Sequence, residues 1–258
     1  MFPVLFTVFG FPVQAYGVSK ALALLVGGLV LARAFRRHNL NGDLAWSLAL
    51  HAMLWGFLGA KLYYLAEHAP DLTWHDFGGM GFTWYGGVIT GTAAVLIIIR
   101  RHRLPLGLVS GLLAVPLSLA YGIGRLGCLL AGDGTYGRPT DLPWGMAFPH
   151  GTVPTLVPVH PTPLYEALAA FAIAIALFWA ERRTTPPVVF GLYLVLSGTA
   201  RFLVEFLRIN QQAVFGLTQP QLWSALLVVI GVVILVRHRR RLQHPAPDTA
   251  TTASGVST

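Results

Sequence analysis

Seven blocks of apolar residues, each close to the ~20 residues a helix needs to cross a hydrocarbon core, constrain this 258-residue chain more than any other feature of it. They run over about 13–34, 44–66, 83–99, 107–127, 163–180, 188–207 and 218–236, separated by short basic or Gly/Pro-rich breaks. Inside a bilayer every backbone N–H and C=O must find a partner within the protein, so such blocks fold as helices. A chain that is 55% hydrophobic and only 11% charged agrees. The expected fold class is therefore all-α, a polytopic membrane protein with about seven transmembrane helices. Residues 1–242 are expected to form one integral membrane domain that includes a long outer loop at about 128–162. The Pro-, Thr-, Ala- and Ser-rich stretch 243–258 reads as a disordered tail. No basic segment precedes the first apolar block and no small-residue cleavage site follows it, so that block is expected to be retained as a span. A single cysteine, Cys128, excludes an intramolecular disulfide framework and leaves the fold to helix packing, helped by 28 glycines.

The basic residues are sorted between alternate breaks. Arg33, Arg36 and Arg37 follow the first block, Arg100, Arg101 and Arg103 the third, Arg182 and Arg183 the fifth, and Arg237, Arg239, Arg240 and Arg241 the last. Basic loops stay in the cytoplasm, which places the N-terminus outside and the C-terminus inside. Twelve of the eighteen Lys and Arg residues are accounted for in this way, so the net charge of +8 requires no nucleic acid, although it suits anionic membrane lipids. Lys20, Lys61, Arg125, Arg138, Arg201 and Arg208 remain. Of these, Lys61, Arg125 and Arg201 are at or near membrane depth.

A guanidinium at that depth costs about 2.5–3.5 kcal/mol even on the lenient insertion scale, so it is expected to face a polar cavity and a partner. Arg125 stands among glycines in Gly122-Ile-Gly-Arg-Leu-Gly-Cys128, followed by the turn-rich Gly132-Asp-Gly-Thr-Tyr-Gly-Arg-Pro139. Arg201 and Glu205 are four residues apart and share a helix face. An ion pair that only neutralised itself would gain little over two leucines in a membrane, so Glu205 is expected to orient Arg201 toward something else. In His160-Pro-Thr-Pro-Leu-Tyr-Glu166, Thr162 can cap a helix, Pro163 suits its first turn, and Glu166 suits the positive end of its dipole. Tyr16-Gly17 and Trp84-Tyr85-Gly86-Gly87 lie in the same outer half, as interfacial aromatics do.

The order of these segments resembles that of the prolipoprotein diacylglyceryl transferase family over nearly the whole chain. The resemblance rests on Tyr16-Gly17, the aromatic-Gly-Gly of the third block, Gly124-Arg-x-Gly127, Gly132 with an acid after it, Tyr136-Gly137-Arg138, Leu142-Pro143-Trp144, His160-Pro161 with Leu164-Tyr165-Glu166, and Arg201-Phe202 with Glu205-Phe206. It implies a bacterial inner-membrane enzyme that moves the diacylglyceryl group of phosphatidylglycerol onto the lipobox cysteine of a preprolipoprotein and releases glycerol phosphate. It implies Arg125, Arg201, Glu205 and Tyr85 as catalytic residues. Tyr16, Arg125, Cys128, Asp133, His160, Glu166 and Lys61 would bind substrate, and no metal or cofactor is implied.

The chain departs from the family pattern at four places. Tyr85 stands where many members carry a histidine proposed as the base for the incoming thiol, Cys128 where the signature has asparagine, Lys61 where arginine is common and Asp133 where glutamate is. A phenol of ordinary pKa ~10 is a poor base for a thiol near ~8.5, so Tyr85 acts as a base only if arginines depress its pKa and otherwise hydrogen-bonds substrate. His160 and Glu205 are the alternative bases. A paralogue that binds anionic lipid or uses another acceptor is the competing reading. An anionic-solute transporter would carry inverted repeats, and none is visible.

Overall fold

A computed structural model describes residues 2–78 and 81–243, so the expected tail lies, from residue 244 on, outside the described residues. Each apolar block is one long helix: α1 Ala15–Arg37, α2 Gly42–Glu67, α3 Trp84–Arg101, α4 Leu106–Ala131, α5 Thr162–Ala180, α6 Pro186–Glu205 and α7 Gln219–Gln243. Five of them, α1 and α4 to α7, are long and apolar enough to cross a membrane, which makes this a helical membrane protein. α2 and α3 dilute their apolar residues with Ser47, His51, Lys61, Thr90 and Thr92.

The fold is not purely α. Three two-stranded antiparallel hairpins join the helices: β1 Val4–Val8 with β2 Phe11–Gln14, β3 Met146–Phe148 with β4 Thr155–Val159, and β5 Gln212–Val214 with β6 Leu217–Thr218. Strands of two to five residues carry too little alternation to stand out beside the helical pattern. Two short 3₁₀ turns, Ala69–Asp71 and Trp74–Phe77, fill the α2–α3 link. The hairpins and turns all fall before odd-numbered helices at one end of the bundle. At the other end the links 38–41, 102–105 and 181–185 are short and lie beside the arginines.

Packing is centred on α4, which lies against α1, α5 and α6, while α2 pairs with α3 and α6 with α7. Leu31, Phe35, Leu48, Ile99, Val109 and Leu112 form a core among the first four helices at the arginine-rich end. Ala114, Val115, Ile173, Leu177 and Val189 form a second between α4, α5 and α6. Helix pairs meet through small residues, as expected where lipid supplies no hydrophobic drive for association. A Cβ on Gly86 of α3 would fall on the Gly59 carbonyl of α2, and one on Gly231 of α7 would come within 2.7 Å of the Gly191 carbonyl oxygen of α6. α4 ends at Gly132, whose φ of +58° and N–H to the Cys128 carbonyl close the helix. Any side chain there would strike Gly151.

Replacing Gly86 with leucine should therefore force α2 and α3 apart and cost about 1–3 kcal/mol, the usual range for overpacking. A lower unfolding temperature in detergent is the expected result, with Gly17→Ala, which meets nothing within 4 Å, as the neutral control. An unchanged midpoint for Gly86→Leu would mean that the two helices are not pressed together.

Candidate active site

Three helices end or begin around one group of charges. α4 carries Tyr121 and, one turn later, Arg125. α5 carries Glu166 in its second turn, α6 carries Arg201 and Glu205 in its last turns, and Arg208 lies just beyond. The two carboxylates are almost wholly buried, at 3% and 2% exposure, and a buried charge is tolerated only when paired and hydrogen-bonded. Arg125 Nε pairs with Glu166 Oε2. Arg201 Nη1 lies 3.2 Å from Glu166 Oε1 and 2.6 Å from Glu205 Oε2, bridging the two acids. Arg208 is 3.6 Å from Glu205 through Nε and 4.0 Å from Glu166 through Nη1.

Neutral groups complete the network. The Tyr121 hydroxyl donates to Glu166 Oε2 at 3.0 Å and accepts from Arg125 Nε at 3.1 Å. Glu205 Oε1 accepts from Asn210 Nδ2 at 2.5 Å and from Thr218 Oγ1 at 2.9 Å. The Thr135 carbonyl accepts from Arg208 Nη1 at 2.8 Å and from Thr162 Oγ1 at 2.7 Å, which ties the α4–α5 loop to the charges. Burial and the neighbouring Arg201 guanidinium hold Arg208 below its ordinary pKa, partly offset by Glu166. Three guanidiniums against two carboxylates leave the group one positive charge in excess.

The three arginines, Glu166 and Tyr121 form one wall of a cavity of about 450 Å³ that continues between α4, α5, α6 and α7 past Ser118, Ile173, Tyr193 and Leu227. Tyr85 lines the same cavity from the start of α3. Its hydroxyl donates to Gln219 Oε1 at 2.6 Å, and its ring lies against Trp84 and Trp223. A larger, mainly apolar cavity of about 790 Å³ lies on the other side of α4, with Lys20 among its lining residues.

Arg125, Arg201, Glu205, Glu166 and Tyr85 are thus brought together. The other candidates are elsewhere. Tyr16 is half-exposed under the Lys20 ammonium, 4.8 Å from its ring centre. Lys61 donates to the Gly78 carbonyl at 2.9 Å and sits over the rings of Phe82 and Tyr64. Cys128 is buried in α4, outside the cavity lining. Asp133 accepts the backbone N–H and hydroxyl of Thr135 at 3.1 and 2.6 Å, so it shapes the turn that presents the Thr135 carbonyl. His160 pairs through its backbone with Gly137 and Arg138, and its Nδ1 is 3.4 Å from the Tyr165 hydroxyl, which accepts from Trp144 Nε1.

The start of α5 differs from the expectation in two respects. Pro161, not Thr162, occupies the cap, and the Thr162 hydroxyl donates to the outer loop instead of capping. Glu166 lies past the first turn and serves the arginines, not the helix dipole. Arg208, Tyr121, Asn210 and Thr218 were not singled out by sequence. Spacing could have found two of them, since Tyr121 precedes Arg125 by four residues and Arg208 follows Glu205 by three.

The model of the prolipoprotein diacylglyceryl transferase family matches residues 3–237. The chain belongs to this family. It is 32% identical to the phosphatidylglycerol–prolipoprotein diacylglyceryl transferase of Clostridium tetani, over 94% of this chain and all of the relative. The protein of that name from Porphyromonas gingivalis is 32% identical over 91% of this chain and 92% of its own length. For that from Geobacter sulfurreducens the values are 31%, 94% and 97%. The family relationship spans both the charged cluster and the helices that carry it.

Glu166→Gln would leave three guanidiniums facing one carboxylate. Breaking a buried pair in this way costs about 3–5 kcal/mol, so the variant should unfold at clearly lower temperature. Adding Arg125→Met restores the excess to one positive charge and should recover part of the loss. A double variant whose loss equals the sum of the single losses would show that the two residues are not energetically coupled.

Proposed function

We propose that this chain transfers the diacylglyceryl group of phosphatidylglycerol to the thiol of a lipobox cysteine in a preprolipoprotein, releasing glycerol phosphate. The family to which it belongs supports the reaction. The observation that carries it to particular residues is the single excess positive charge of the cluster that borders the cavity, which one phosphodiester anion would balance.

In the reaction the cysteine sulfur bonds to the glyceryl carbon as the bond from that carbon to the phosphate oxygen breaks, and the phosphate leaves with a second negative charge. Donors fixed where charge develops act mainly in the transition state. Arg125 is held through Nε by Glu166 and Tyr121, and Arg201 through Nη1 by the two acids. The remaining guanidinium nitrogens can then fork on phosphate oxygens. Glu205, occupied by Asn210, Thr218 and Arg201, orients rather than accepts a proton. The direction of the Tyr85 hydrogen bond to Gln219 supports a binding role for the phenol. A thiol entering beside surplus guanidinium charge ionises more readily, so the proton can leave toward the outer aqueous face without a base at position 85. Asp133 and His160 act on the site through the 128–162 loop and Cys128 through the packing of α4, while Tyr16 and Lys61 lie apart from the cavity. No metal or cofactor takes part in this scheme.

The proposed setting is the bacterial inner membrane, with residues 1–242 as one domain, seven spans, the N-terminus and the 128–162 loop in the periplasm, and the C-terminus in the cytoplasm. The sorted arginines support this orientation. Reporters fused after residues 38, 102, 183 and 241 should all report cytoplasm. A periplasmic signal at any of them would redraw the spans.

Transfer from phosphatidylglycerol to a lipobox peptide tests the chemistry. Arg125→Lys and Arg201→Lys keep charge but lose the planar fork, and each should lower the rate at least tenfold, about 1.4 kcal/mol of transition-state stabilisation. Tyr85→Phe should stay within tenfold of wild type. Wild-type rates in both lysine variants would remove the phosphate clamp, and abolished transfer in Tyr85→Phe would restore the base assignment. A wild-type protein that binds lipid without transfer would favour the non-catalytic paralogue.

A further inference from the structure

Residues 2–14, Phe-Pro-Val-Leu-Phe-Thr-Val-Phe-Gly-Phe-Pro-Val-Gln, contain no charge, and neither does the stretch 209–236. The first folds as the β1–β2 hairpin and the second begins with β5–β6. The turns are alike. Val8 faces Phe11 across Phe9-Gly10, and Val214 faces Leu217 across Phe215-Gly216. Both residues of each turn have positive φ: +50° and +83° in the first, +52° and +72° in the second. That conformation is the two-residue hairpin turn for which asparagine or aspartate is preferred in the first position. Here a phenylalanine occupies it twice, and the rings of Phe9 and Phe215 are 98% and 95% exposed.

An aromatic ring in a backbone conformation that disfavours it, without contact to the rest of the protein, points to a partner outside the chain. Edge strands that face water are normally guarded by charges, and these have none. Both hairpins run directly into helices long and apolar enough to span the membrane, β2 into α1 and β6 into α7. They therefore sit at the level where those helices leave the bilayer. We propose that Phe9 and Phe215 insert into the interfacial zone of the outer leaflet as paired aromatic anchors. With no charge in either hairpin, the partner is the apolar boundary of the bilayer and not a particular headgroup.

The bases of the hairpins show what the anchors hold. Phe2 N–H donates to the Leu130 carbonyl at the end of α4 at 3.1 Å. Asn210 and Thr218, on either side of β5–β6, both donate to Glu205. Seating Phe215 in the leaflet thus fixes the depth of the carboxylate that orients Arg201, near the level of lipid phosphates. This consequence rests on the lipid-transfer reading. The anchoring itself does not.

The test uses the full chain carrying Phe9→Cys or Phe215→Cys, labelled with a nitroxide and reconstituted in vesicles of uncharged phosphatidylcholine. Cys128 is buried, and unsubstituted protein taken through labelling measures any background from it. Asp141→Cys, in the charged outer loop, is the water-exposed reference. Collision with oxygen, which concentrates in the bilayer, is compared with collision with a water-soluble nickel chelate. Both tips should favour oxygen several-fold more than the Asp141 position does, equally at low and high salt. Nickel accessibility equal to the reference would overturn the proposal. So would protection that develops only when a lipobox peptide with its apolar segment is added, which would assign the tips to the acceptor. No turnover is measured, so loss of the transferase reading would leave this result standing.

Discussion

Burying Glu166 and Glu205 among apolar helices is the constraint on which the rest of the arrangement depends. A carboxylate there is costly in isolation, and each finds at least two cationic or neutral donors. Satisfying them requires α4, α5 and α6 to bring their charged turns to one depth and the 206–218 segment to fold back. The pairing is poor as a source of stability, since well-packed apolar residues of the same volume would often serve as well. Its value is orientational. Arg125 is held through Nε and Arg201 through Nη1, while the cluster as a whole retains a net positive charge.

The connection from fold to site runs through backbone carbonyls and small residues. α4 passes close to α1 and α6 because Gly127 meets Ser19 and Gly111 meets Pro186, and this closeness sets where Tyr121 and Arg125 emerge. At the hairpin end, the Gly132 turn and the Tyr136–Phe148 stack, with ring centres 5.1 Å apart, hold the loop that delivers the Thr135 carbonyl. The same loop pairs with the end of α6, where Arg138 N–H donates to the Leu207 carbonyl. Asp133 and His160 therefore matter at a distance, through the position of one acceptor.

The sequence made the seven helices legible because each is a long, mainly apolar run, a signal strongest in α1 and α4 to α7. Arg125, Arg201 and Glu205 were visible because charge in such a run is rare. Arg208 was passed over because it falls one residue beyond the expected end of the sixth block, although its spacing from Glu205 already put it on the same face. Glu166 was visible as a substrate-binding residue through the resemblance, but its position alone suggested only a residue near a helix start, not a partner of three arginines. Asn210 and Thr218 left no trace, since neutral polar residues in a link are common and only the folded β5–β6 hairpin brings both to one carboxylate oxygen. The strands escaped because pairs of two to five residues are too short to show alternation.

The two ends of the bundle are built on opposite physical terms. At one end, short links lie beside arginines. At the other, hairpins without Lys, Arg, Asp or Glu precede the odd-numbered helices, and the carboxylates of the charged cluster are buried. This inversion follows from what each end must meet. An end that only has to stay in place can hold its charge outside. Under the proposed lipid transfer, the other end would need positive charge within reach of the bilayer but shielded from bulk water, where screening would weaken its grip. Trp84, Tyr85 and Trp223 line the cavity beside the guanidiniums, and the two carboxylates leave the cluster a surplus of one positive charge. The phenol at position 85 is consistent with this division of labour, because it contributes to the wall and to hydrogen bonding while the guanidiniums supply the field.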